Sequence, residues 1–280
     1  MATTIADLQV RPLSDALGAE IIGIDLSQPM DVATANAIEK AWHHHLVLVF
    51  RNQTLSNDDQ VRFCRHYGDL EEVRTGKYAN EDMKHTMMIT NVTDTGLMTA
   101  LENGDMWFHS DQCYYEIPCK ASTLYAMEIP SVGGNTLFAN CYTAWETLPA
   151  DLRDKLEGLK AHHIYDYAGN PLKRGDNIDP DAPQYFHPVA RTHPATKRKA
   201  LYVNRLMTDY IDGITGEESD EILAQLFAHS EEERFVYEHV WQVGDFVIWD
   251  NRCSMHARTD FDPNERRMMR RITVKGEAVQ

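Results

Sequence analysis

The sequence predicts a mainly β fold with helices placed before and between its strands, in one domain spanning 1–280. Three observations carry that reading. Short apolar runs such as Val47-Leu48-Val49-Phe50 and Phe246-Val247-Ile248-Trp249 recur and end at polar or Gly/Pro turns, the signature of strands. Only a few stretches combine helical length with an apolar face. No internal repeat, low-complexity segment or obvious linker divides the 280 residues, which are enough for one sizeable core.

In chain order, residues 8–10 and 21–26 read as strands separated by a polar turn. Residues 31–46 read as a helix: Asp31 can cap it, and Ala33, Ile38, Ala41 and Trp42 share a face. It closes on His43-His44-His45. Three adjacent helical residues point in different directions and do not converge on one metal. Residues 47–50 read as a buried strand, and 57–67 as a second helix stopped by Gly68. From 71 to 105 the pattern fails, except for a strand at 87–89. This insertion carries Arg74, Lys77, Tyr78, Lys84, His85 and Met98; it either shapes a substrate site or is plain surface.

Residues 122–129 read as a strand closed by Pro130, followed by a Gly133-Gly134 turn and a strand at 136–138. Residues 141–156 read as one or two helices broken at Pro149. Residues 168–188, rich in Gly, Pro, Asp and Asn, read as a long loop, either a lid or a surface excursion. A strand at 200–203, a helix at 217–229 and strands at 235–237, 245–249, 254–257 and 267–274 complete the chain.

Net charge is −16, which argues against nucleic acid, whose phosphates need a basic footprint. The five Cys are scattered without a CxxC pair, so neither a disulfide framework nor a thiolate zinc site is expected. Cys113 and Cys253 read as packing residues. The N-terminal stretch lacks a basic-then-apolar signal, and no apolar run reaches membrane-spanning length. A cytoplasmic protein without a membrane or nucleic-acid partner is the expectation.

The chemistry centres on Trp107-Phe108-His109-Ser110-Asp111-Gln112. In an extended segment His109 and Asp111, two apart, point to one face and can chelate one ion. Two His and one carboxylate with open positions form the facial triad of non-haem Fe(II) oxygenases. Among 13 His, His256 is the best third ligand, because it follows an apolar strand and a tight turn. After it comes Arg266-Arg267-Met268-Met269-Arg270-Arg271. On either strand face two guanidiniums project together, as bidentate partners for an anion or as an exposed basic edge.

The segments FHSD, GGNTLFAN, WDNRCSMH and ERRMMRR, with VLVFRNQ and YGDL before them, resemble the Fe(II)/2-oxoglutarate dioxygenase family of taurine and chlorophenoxyacetate dioxygenases (TauD/TfdA type). The resemblance covers about 8–275. It implies a double-stranded β-helix, or jelly roll, with inserted and N-terminal helices. It implies iron on His109, Asp111 and His256. It also implies that Thr136 and Arg267, eleven residues after His256, hold the far carboxylate of 2-oxoglutarate. Arg271 is then expected to face the active site and meet an anionic group of the substrate. The implied reaction is hydroxylation of a small anionic organic molecule with O2, giving succinate and CO2. Asp111 stands where related halogenases carry a small residue, so hydroxylation is expected. Two departures argue against taurine itself: Glu71-Glu72-Val73-Arg74 lacks the His of taurine-specific members, and Phe108 replaces a frequent Trp before the metal His. Trp249-Asp250-Asn251-Arg252 is read as a turn that aims His256. A homo-oligomer is expected from the family. Competing readings are a non-catalytic jelly roll that binds metal and a small acid, against which the Arg267, Arg271 and Thr136 clamp argues, and a hydrolase using zinc in the same triad.

Overall fold

A computed structural model describes residues 8–73, 83–92, 106–165 and 181–279. Arg74, Lys77, Tyr78 and Met98, singled out above, and 168–180 of the expected long loop lie outside the described residues.

Two sheets build the core, and both draw strands from distant parts of the chain. β1 (Gln9–Pro12), β2 (Ala19–Ile22), β3 (Val47–Phe50), β4 (Thr86–Thr90), β5 (Met106–His109), β6 (Ala121–Glu128) and β7 (Thr136–Asn140) come from the first half. β8 (Lys160–Ile164), β9 (Gln184–Pro188), β10 (Ala190–Thr192), β11 (Lys199–Leu201) and β12 (Thr208–Ile211) follow. β13 (Val236–His239), β14 (Phe246–Asp250), β15 (Ser254–Arg258) and β16 (Met268–Val274) complete the set. The major sheet runs β1-β2-β3-β14-β6-β16-β4 and the minor sheet β13-β7-β15-β5. This is the expected jelly-roll core.

The major sheet is buried on both faces, which explains its unbroken apolar runs. Leu48, Phe50, Phe246, Ile248, Ile272 and Val274 face one way, onto Ile38 and Trp42 of α1 (Val32–His45) and Phe63 and Cys64 of α2 (Asn57–Arg65). Val47, Val49, Val247, Trp249 and Met269 face the other way, onto Phe138, Ala139 and Met255 of the minor sheet. The period-two alternation of strand side chains therefore fills two core layers. Asp31 caps α1 by accepting from Thr34 N at 2.7 Å. α2 opens with a reciprocal capping box between Ser56 and Asp59.

The remaining segments form an outer lobe. α3 (Cys141–Glu146), α4 (Ala150–Leu156) and α5 (Gly216–Ser230) pack with the sheet β12-β8-β9 and the hairpin β10-β11 around Trp145, Leu201 and Leu226. The break at Pro149 is as expected. Three expectations are corrected here. Gln184–Pro188 is a strand, β9, rather than the end of a long loop. β8, β10 and β12 were not anticipated. The turn at 233–235 is 3-10 helical, so β13 starts at Val236. No helix among the described residues is long and apolar enough to cross a membrane.

All five Cys are buried free thiols; burial pushes the Cys64 thiol up to about 12. His43, His45, His187 and His239 are all pushed down by burial, His187 to about 4. In the unfolded chain imidazoles titrate near 6.5. Between pH ~4 and ~6.5 the unfolded state therefore binds more protons, and stability rises with pH across that window. His187 alone is worth on the order of 2–3 kcal/mol there. Thermal midpoints measured from pH 4.5 to 7.5 are expected to climb, with a shallower slope in His187→Asn.

Candidate active site

β15 lies between β7 and β5 in the minor sheet. His256 pairs directly with His109 on one side and Phe138 on the other. Residues opposite each other in an antiparallel ladder project to the same face, so the two imidazoles meet, with ring centroids 4.2 Å apart. Asp111 is brought to them differently from expectation. β5 ends at His109, and Asp111 sits in the following turn, where Gln112 adopts φ 59°. Its Oδ1 lies 3.7 Å from His109 Nε2 and 4.0 Å from His256 Nε2. One donor atom from each of the three falls within 4.8 Å of the others.

The surroundings prepare these atoms for a cation. His109 Nδ1 donates to Trp107 O at 2.9 Å, which leaves Nε2 with its lone pair toward Asp111. The His256 ring is fixed by Trp249 at 4.8 Å and Phe138 at 6.2 Å. Burial and the neighbouring His109 push its pKa down to about 3, so it stays neutral. Burial alone would raise the Asp111 carboxyl, but Arg271, His256 and His109 outweigh it and hold the group well below the usual carboxylate range. Asp111 Oδ2 accepts from Ser122 Oγ at 2.6 Å and meets Arg271 Nη2 at 3.0 Å. Oδ1 is thereby the oxygen left for a metal. Two imidazoles and an anionic carboxylate fit a first-row divalent ion with open positions. Such orienting partners typically matter 10–100-fold for metal affinity. Ser122→Ala is expected to weaken iron binding by about that factor, read by metal titration of the refolded protein.

Asn251 has a different task from the one its turn suggested. Its Oδ1 accepts from Trp249 Nε1 at 3.0 Å and from Asp111 N at 3.3 Å, and its Nδ2 donates to Ser122 Oγ at 3.1 Å. It aims Asp111 rather than His256. Asp250 belongs to a separate buried network with Arg252 and His193. Together with His43 these residues form a second His-His-Asp grouping. The Arg252 guanidinium already grips Asp250 at 2.7 and 2.8 Å, so that grouping is an ion-pair network.

One cavity holds the triad's face together with Thr136, Arg258, Arg267 and Arg271, walled by Ile89, Leu124, Trp249 and Phe261. Arg267 precedes β16 and is 4% exposed. Its Nε donates to Gly134 O at 3.3 Å, and no carboxylate among the described residues pairs with it. Burial, and then Arg258, lower its pKa to about 9. A buried guanidinium without a counter-charge is costly, and it is the feature a ligand carboxylate would relieve. Thr136, opposite Arg258 in the β7–β15 ladder, accepts from Trp241 Nε1 at 3.0 Å. Indole can only donate, so the Thr136 hydroxyl hydrogen is left to donate into the cavity. The Gly133-Gly134 turn holds φ 77° and 65°. A Cβ at Gly134 would lie 3.2 Å from Arg267 Nε, so only glycine lets the guanidinium sit there. Asn91 Oδ1 accepts from Arg267 N at 2.9 Å, and its Nδ2 donates to Glu265 O at 2.8 Å.

A family profile described as taurine catabolism dioxygenase TauD, TfdA family matches residues 9–273. The chain belongs to this family. The dioxygenase, an oxidoreductase, is 33% identical over 285 residues to the alpha-ketoglutarate-dependent 2,4-dichlorophenoxyacetate dioxygenase of Cupriavidus pinatubonensis, with 96% of this chain and 98% of the relative covered. It is 31% identical to the alpha-ketoglutarate-dependent sulfate ester dioxygenase of Pseudomonas putida, covering 97% of this chain and 90% of that one. Among solved structures, AAD-2 in complex with Mn(II) and N-oxalylglycine superposes with a TM-score of 0.81 at 29% identity, covering 98% of this chain and all of that one.

The sequence had brought forward His109, Asp111, His256, Thr136, Arg267 and Arg271; the fold gathers five of them around one cavity and sets Asp111 against His109 and His256 at its edge. Arg271 reaches it by a contact that was not expected, the ion pair with Asp111. Lys84 does not reach it; it pairs with Glu72 at 3.3 Å on the surface. Arg258, Ser122, Trp241 and Asn91 were missed. Arg258 had a signal: two residues after His256 on a strand, it shares that residue's face.

Proposed function

We propose that the dioxygenase uses ferrous iron, 2-oxoglutarate and O2 to hydroxylate a small anionic organic molecule, releasing succinate and CO2. The observation that supports this best is Arg267, a buried cation without a carboxylate partner among the described residues, in the cavity lined by His109 and His256, against which Asp111 sits. His109, Asp111 and His256 would hold iron. When bound, iron with 2-oxoglutarate and O2 supplies the oxidising power for hydroxylation. The residues of the chain do the rest. Arg267 and the Thr136 hydroxyl bind the far carboxylate of the 2-oxo acid, and Gly134 keeps the space for Arg267. Arg271 fixes Asp111 through Oδ2 while adding positive charge to the cavity wall, where an anionic substrate is favoured. Ile89, Leu124 and Phe261 receive the apolar body of the substrate and exclude water. The carboxylate of Asp111 favours hydroxylation over halogenation.

The relatives act on an aryloxyacetate and on sulfate esters, which supports an anionic organic substrate. The reading includes a single dioxygenase unit over 1–280, a cytoplasmic location and a homo-oligomer, on the precedent of the family. Anaerobic protein given Fe(II) and 2-oxoglutarate should develop the visible band of a chelated 2-oxo acid, lost in His109→Ala. Absence of the band sinks the proposal. Succinate release across aryloxyalkanoates, sulfonates, alkyl sulfates and phosphonates then identifies the substrate. A band without turnover on any of them would favour the non-catalytic binder.

A further inference from the structure

Another buried guanidinium without a carboxylate partner among the described residues lies outside the cavity, against Tyr202 beside the turn that carries Asp111. Arg191, in the middle of β10, is 1% exposed. Its Nε and Nη1 have no hydrogen-bond partner, and no carboxylate among the described residues pairs with it. The guanidinium stacks over the Tyr202 ring, 4.9 Å from its centroid. The Tyr202 hydroxyl is also buried without a partner. The His187 ring packs 5.7 Å from Tyr202 and donates through Nε2 to Tyr115 O at 2.8 Å. Tyr202 in turn packs against Cys113, two residues beyond Asp111.

The unpartnered groups on Arg191 are N–H donors, and a guanidinium offers no acceptor. Burial raises the Tyr202 pKa and outweighs the lowering by the adjacent Arg191 guanidinium, so its hydroxyl keeps its proton and can donate as well. His187 stays neutral, pushed down by burial and in part by Arg191. The cluster thus carries one positive charge and a surplus of donors. A buried water can accept one or two of these bonds but leaves the charge uncompensated. A small anion satisfies both.

We propose that Arg191 and Tyr202 bind a monovalent, chloride-sized anion as a structural ligand beside the turn that carries Asp111. The site is separate from the cavity lined by Arg267, and the inference does not depend on the catalytic reading.

Crystals of the holoprotein grown in sodium bromide test it directly. An anomalous peak in contact with Arg191 and Tyr202 is expected. A water without anomalous signal at that position, a carboxylate of the chain there, or bromide only beside Arg267 overturns the proposal. In solution, replacing gluconate by chloride at constant ionic strength should raise the thermal midpoint by about 2–4 °C in a saturable way. Tyr202→Phe should shift the half-saturating chloride several-fold upward, and Arg191→Gln should abolish the response. A flat chloride response in the wild type overturns it. Should Arg191→Gln fail to fold, the bromide map and Tyr202→Phe still decide.

Discussion

Arg267→Ala is expected to raise the KM for 2-oxoglutarate by two to three orders of magnitude while leaving iron binding intact. The size follows from the setting. A charge-assisted pair in a buried site is worth about 3–4 kcal/mol when one partner is removed, and each 1.4 kcal/mol is tenfold. The same substitution should not destabilise the protein as a buried truncation normally does. Arg267 has no carboxylate partner and is pushed down to about 9 by burial, so removing it also removes a desolvation cost. Cosubstrate titration and thermal melting of the unliganded protein together check this. A large loss of stability with unchanged KM would mean that Arg267 is structural and the clamp lies elsewhere.

Asp111→Ala is expected to abolish turnover, by at least about 10³-fold, through loss of iron rather than loss of fold. Two imidazoles remain, without the carboxylate that Arg271 and Ser122 keep oriented. The Arg271 guanidinium then loses its nearest negative charge, so a modest fall in thermal midpoint, about 2–4 °C per kcal/mol, accompanies the loss. Metal content after reconstitution, with 2-oxoglutarate-dependent succinate release, separates the outcomes. A variant that retains stoichiometric iron and activity would remove Asp111 from the metal site.

Some parts of this molecule were legible before its structure for plain physical reasons. β3 and the first four residues of β14 lie between two core layers, so Val47 to Phe50 and Phe246 to Trp249 are all apolar and the runs stand out. His109, Asp111, His256, Arg267 and Arg271 sit in compact motifs whose residue types are dictated by metal and carboxylate chemistry. In the outer lobe the helices and β11 were legible and the other strands were not. β8 and β9 carry His163, Tyr185 and His187, whose rings pack on each other, and His162, which packs on Phe186, instead of forming an aliphatic stripe. β10 is three residues long, too short for a period to show. Ser122 looked like filler within an apolar strand; only the fold shows it donating to Asp111. Trp241 and Asn91 act on Thr136 and Arg267 from distant segments, and nothing in their local sequence announces it. The two-residue spacing of His109 and Asp111 suggested chelation on the wrong grounds, since a left-handed Gln112 and a turn bring Asp111 round.

The ladder that joins His256 to His109 also sets an order of events during synthesis. Chains emerge from the ribosome N-terminus first, and domains fold as units. Two of the three proposed metal donors, His109 and Asp111, emerge long before β15, and two donors hold iron poorly. The third, His256, and Arg267 arrive only eleven residues apart. On the proposed assignment, metal capture and cosubstrate capture therefore mature almost together, and the position of β15 after β5 in the chain delays completion of the iron site until the segment carrying Arg267 is close behind.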